Sequence, residues 1–132
     1  MENAGVKDLA IEPITVARSA AALTAADGLD GMTAVTLEVS FLYGSGGSTC
    51  SVTVQTIFDD TNWRDIARFD FTTASATKHC NLEGLLSKAV TSYAALASEG
   101  VYDGVLGDQL RAVITSVGTY SNTVLSVRAS VR

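Results

Sequence analysis

A chain of 132 residues with 17% charged residues and a net charge of −5 fits one domain, long enough to bury about two-thirds of its unfolded surface without metals or disulfides. Its arginines and lysines are scattered, so no basic patch exists to neutralise phosphates and nucleic acid is not expected as a ligand. No apolar run approaches the about 20 residues of a membrane-spanning helix, and "MENAGVKDLAIE" lacks the basic start and apolar run of a secretion signal, so a soluble product made in the cytoplasm is expected.

The charged fraction lies below the about 25% usual for soluble domains, and the mean hydropathy is +0.26. Either a large core or a surface partly covered by partners accounts for that balance. Residues 1–12 are expected to form an N-terminal arm, reaching a neighbouring subunit or hanging free as a disordered end. Residues 13–132 then form a single β-sandwich domain, in which "ITVARSAAAL" offers a first, weak strand.

From Ala34 to Tyr43, "AVTLEVSFLY" alternates: Val35, Leu37, Val39, Phe41 and Tyr43 face one way, and Thr36, Glu38 and Ser40 the other. A period of two marks a strand with one buried face. The glycine-rich "GSGGST" reads as a turn, and "CSVTVQTIF" as the returning strand of a hairpin, with Val52, Val54 and Phe58 on one parity. After the turn "DDTN", "WRDIARFDF" places Trp63, Ala67, Phe69 and Phe71 on one face, extending the hairpin to a meander. "SATKHCNL" is a weaker strand.

In "LEGLLSKAVTSYAALASEG" the residues Leu82, Leu85, Leu86, Ala89, Val90, Tyr93 and Ala97 recur at helical spacing, with Gly100 placed to cap the end. The stripe fits one short helix near 82–98, while Val90, Thr91 and Tyr93 fit a strand equally well. "QLRAVITSV" and "TVLSVRASV" flank "GTYSN" as a second hairpin, with Gly118 expected to need an unusual φ and with Leu125, Val127, Ala129 and Val131 opposite Ser126, Arg128 and Ser130. The expected fold is all-β, a β-sandwich or jelly roll of about seven or eight antiparallel strands.

Residues able to carry chemistry are few. Any scheme using a histidine base must run through His79, and Cys80 beside it would point to the opposite face of a strand, so direct activation of the thiol is not expected. "DGLDG" and "FDDTNW" put carboxylates in turns, but without the spacing of a calcium loop. "GSGG" is followed by a strand and by no Lys-Ser/Thr pair, so it fails as a phosphate cradle. Trp63 and the tyrosines would make a sugar-binding platform only if exposed together. No catalytic, metal-binding or cofactor-binding residue is therefore expected. Cys50 and Cys80 read as two thiols, free or buried, which could also pair as a disulfide, within or between subunits, in an oxidising exterior.

The segment "DGVLGDQLRAVITSVGTY" (103–120) resembles the C-terminal region of small β-sandwich virion proteins of tailed bacteriophages and their prophages. Asp103-Gly104, Gly107-Asp108, Arg111, Thr115-Ser116 and Gly118-Thr119-Tyr120 carry the likeness, with weaker support from "TNWRDIARFDF". It covers the C-terminal third of the chain with some specificity. The resemblance implies a non-enzymatic structural protein of the virion, a capsid decoration or cement protein bound to the major capsid protein. It further implies a homo-oligomer, trimers being frequent in the family, without cofactors. A neck, tail or fibre-base protein is the alternative within the virion. A carbohydrate-binding module is the alternative of another class, and a hydrolase working through His79 and Cys80 a third.

Overall fold

The alternation of apolar and polar residues along this chain gives every long strand one face to bury, and two such sheets bury theirs against each other. The computed structural model describes residues 3–132. Its strands are β1 (Gly5–Pro13), β2 (Arg18–Ala22), β3 (Ala34–Leu42), β4 (Ser45–Gly46), β5 (Thr49–Ile57), β6 (Trp63–Phe71), β7 (Ala76–Glu83), β8 (Gly100–Val101), β9 (Leu110–Val117), β10 (Tyr120–Ser121) and β11 (Val124–Val131). One sheet has four strands in the order β1-β11-β3-β7, the other five in the order β2-β9-β5-β6-β8, and β4 pairs with β10 in a short ribbon. All pairings are antiparallel.

Apart from the two-residue strands β4, β8 and β10, only β5 and β6 follow one another within a sheet; every other connection between long strands crosses the sandwich. That interleaving is the double Greek key of a jelly roll. The core lies between the sheets, with Val35, Leu37, Val39 and Phe41 of β3 and Leu125, Val127 and Ala129 of β11 facing Val52 and Val54 of β5, Ala67 of β6 and Ala112 and Ile114 of β9.

Several expectations are corrected by this topology. Residues 5–13 are not an arm but the edge strand β1, paired with β11 from Gly5↔Val131 to Pro13↔Val124; Met1 and Glu2 lie outside the described residues. Neither expected hairpin forms. β3 and β5 lie in different sheets, as do β9 and β11, so "GSGGST" and "GTYSN" are arches over one end of the sandwich. The arches bind each other through Tyr120↔Gly46 and Ser121↔Ser45. Gly118 does take positive φ, at 83°, as do Gly46 and Gly47 at 73° and 65°.

The helix near 82–98 is absent as well. β7 runs through Glu83, and residues 84–99 form turns and irregular chain with no helical turn. An amphipathic helix needs an apolar surface to lie on, and both inner faces of the sandwich already cover each other.

Two aromatic side chains change sides. A β-bulge shifts the register of β6 from Val54↔Ala67 to Gln55↔Asp65, leaving Ile66 as the extra residue. Ala67, Phe69 and Phe71 keep their inward direction, but Trp63 turns to the outer face beside Gln55 and Arg111. The Arg111 guanidinium covers the Trp63 ring at 4.3 Å. Phe58 lies beyond the end of β5 and is 63% exposed.

Candidate interaction surface

The irregular segment 84–99 lies along the outer edge of β6, which β8 covers only at Ala67↔Val101 and Arg68↔Gly100. Elsewhere along that edge side chains replace the missing strand. The Asp65 amide donates to Tyr93 Oη at 3.0 Å, and the Leu96 amide donates to Asp65 Oδ2 at 2.9 Å. Arg68 Nη1 donates to the Leu96 carbonyl at 3.0 Å, and the Asp70 amide to Glu99 Oε2 at 3.0 Å. Lys78 Nζ binds the same Glu99 oxygen at 2.6 Å. Asp65 is itself buried, its second oxygen accepting from Gln55 Nε2 at 2.8 Å, while Gln55 Oε1 accepts from Arg111 Nε at 2.8 Å. A free strand edge invites pairing with other chains; here the segment acts as a strap that occupies part of it.

The same strap exposes apolar side chains. Val90 is fully exposed, Leu85 is 75% exposed and Leu86 51%. Phe58, Val90, Tyr93, Tyr102 and Val105 line a groove of about 570 Å³ at this end of the molecule, with Arg64 stacked over the Tyr93 ring at 4.8 Å. Large apolar groups gathered in one exposed region mark contact sites in soluble proteins. Sequence reasoning missed this surface because it assigned the stripe to an element that would bury it. A signal was present: the Leu85-Leu86 doublet lies in a stretch with no strand alternation, and Ser87 and Lys88 follow it at once.

The candidates for chemistry are not brought together. His79 Nε2 lies 3.2 Å from Glu38 Oε2 on the open outer face of the four-stranded sheet, while Cys80 shares the inward parity of Leu82. Cys50 is 1% exposed between the sheets. Both cysteines are free thiols in this structure. Burial pushes each thiol up to about 11. Among the described residues no group of His, Cys, Asp and Glu is arranged to hold a metal ion, and no buried side-chain polar atom lacks a hydrogen-bond partner. Asp59 closes its own turn, accepting from the Thr61 and Asn62 amides and from Asn62 Nδ2, bonds that pull its carboxyl down to about 2. Among the described residues no helix is long and apolar enough to cross a membrane.

Fold and surface together define an all-β jelly roll whose most distinctive feature is an apolar strap along one sheet edge. No protein-family model, curated protein or solved structure matches this chain.

Proposed function

We propose that this protein is a non-enzymatic structural component of a tailed-phage particle, a decoration or cement protein that docks the strap of residues 84–99 and its groove onto the capsid shell. The observation that carries the reading is the exposure of Leu85, Leu86 and Val90 on a segment tied to the sandwich by specific hydrogen bonds, with the exposed Phe58 beside it in the groove. A surface held in place before binding loses little entropy on docking. Each such side chain, once covered, contributes about 1.5–3 kcal/mol.

Cementing follows from repetition. A subunit that touches more than one capsid protein makes the loss of any of them require breaking several contacts at once, so modest single affinities add up across a shell. The low charge of the chain accords with a molecule whose surface is covered in an assembly, and its net negative charge disfavours contact with packaged DNA. The reading as a sugar-binding module is weakened by Trp63, whose ring face is taken by Arg111.

The test is reconstitution on shells that lack the protein. Wild-type protein should bind them and raise their heat resistance, whereas Leu86→Asp and Val90→Asp, both at exposed positions that leave the core intact, should fold and fail to bind. Binding by the two variants equal to wild type would reject the strap as the contact.

A further inference from the structure

The outer face of the four-stranded sheet carries a row of charges at one register. Asp8 on β1 pairs with Arg128 on β11, Arg128 with Glu38 on β3, and Glu38 with His79 on β7. The row crosses the whole sheet. Within it Arg128 Nε lies 3.1 Å from Asp8 Oδ1, and His79 Nε2 lies 3.2 Å from Glu38 Oε2. All four side chains are exposed and could take a further partner.

The order acid, base, acid, histidine has a geometric consequence. Turned about a two-fold axis that lies in the interface, parallel to the strands and between β11 and β3, the row falls on its own reverse. Arg128 then faces the partner's Glu38, Glu38 faces the partner's Arg128, and Asp8 faces the partner's His79. The same rotation lays each flanking row onto its own reverse. In one of them Ser126 meets the partner's Ser40, and in the other Ser130 meets the partner's Thr36. These side chains are short and let two sheets approach, and the exposed Val6 and Ile11 at the β1 edge add apolar area on the same face.

We propose that this face is a self-complementary interface through which two copies of the chain pair about a two-fold axis. An isologous contact requires every group to meet its complement under the rotation, and a row whose reverse sets Arg128 opposite Glu38 and Asp8 opposite His79 meets that condition. Four strands about 4.8 Å apart and about eight residues long span roughly 19 by 26 Å, or about 500 Å² per copy. Two copies would therefore bury about 1,000 Å², the lower bound for a specific interface. Polar and charged contacts of this kind supply register more than strength, so the pairing is reversible and sensitive to salt. The contact uses none of the residues 84–99 and does not depend on the role of the strap.

Charge exchange tests it directly. Sedimentation of wild-type protein should show a dimer at ~0.05 M salt that dissociates at ~0.5 M, where screening is strong. Arg128→Glu places an acid opposite the partner's Glu38, and Glu38→Arg places a base opposite the partner's Arg128. Each variant alone should be monomeric, with dimerisation weakened about tenfold or more. Mixed in equal amounts they should form a heterodimer, because Glu at 128 then faces Arg at 38 and the native Glu38 faces the native Arg128. The mixture serves as its own folding control. A wild-type monomer or trimer at low salt, either variant dimerising alone as well as wild type, or a mixture that stays monomeric would each overturn the proposal.

Discussion

The ring of Tyr120 fills the space that a side chain on Gly47 would need: a Cβ built there runs into the Cζ and both Cε atoms of the ring. Tyr120 is 1% exposed, sits edge-on to Phe41 at 5.6 Å, and donates its hydroxyl to the Thr72 carbonyl at 2.7 Å. The two arches of the jelly roll therefore lock together through one aromatic side chain from "GTYSN" and one glycine from "GSGG". Gly47→Ala should destabilise the protein by about 3 kcal/mol, combining a left-handed backbone unsuited to alanine with displacement of a buried ring. Thermal denaturation checks this. An unchanged midpoint would mean that the arches do not depend on each other.

Asp65 ties the strap to the sheet. Removing its carboxylate in Asp65→Ala deprives the Leu96 amide and Gln55 Nε2 of their acceptor at once. The expected loss is about 1–3 kcal/mol, accompanied by faster proteolytic cleavage within residues 84–99 than elsewhere. Cleavage distributed as in wild type would show that the strap is held by other contacts.

Glu99 makes the same attachment sensitive to acid. Its carboxyl is held below the usual range chiefly by the Lys78 hydrogen bond, and then by the Asp70 amide. A folded value below the unfolded one gives stability that is present above the unfolded pKa and is lost as the pH falls through the folded pKa. The group is half-exposed, so the contribution is modest, about 0.5–1 kcal/mol. Glu99→Gln should lower the melting temperature at neutral pH, and the difference should vanish in acid. A difference that persists in acid would assign the effect to packing.

The cysteines should be slow to react. With Cys50 sealed in the core and both thiols pushed up to about 11, the folded protein holds little thiolate at neutral pH. A thiol reagent should modify Cys80, at the seam beside Gly100 and Val101, slowly, and Cys50 only after unfolding. Rapid modification of Cys50 under native conditions would contradict the buried position of β5's first turn into the core.

Strand existence was legible wherever one face is buried and the other wet. β3 and β11 alternate without interruption, and their inward residues are the ones read from the sequence. Strand partners were not legible. A glycine turn between two amphipathic strands looks the same whether the second strand lies beside the first or opposite it across the core, and in this chain both arches place it opposite. The bulge at Ile66 left no separate mark, since a single inserted residue changes direction without changing composition. The strap misled because its apolar spacing is helical while its stability comes from Tyr93, Leu96 and Glu99 bonding to Asp65 and Asp70 of β6, contacts that no local pattern encodes. The charge row of Asp8, Arg128, Glu38 and His79 was equally hidden, because its members come from four strands and align only through the register.

The most direct measurement for the proposed role is the copy number of this protein, relative to the major capsid protein, in phage particles purified from cells that carry its gene. Quantitative mass spectrometry should find it in a fixed, shell-wide ratio to the capsid subunit. A handful of copies per particle would contradict decoration and point to the neck or tail, and complete absence would reject a place in the virion.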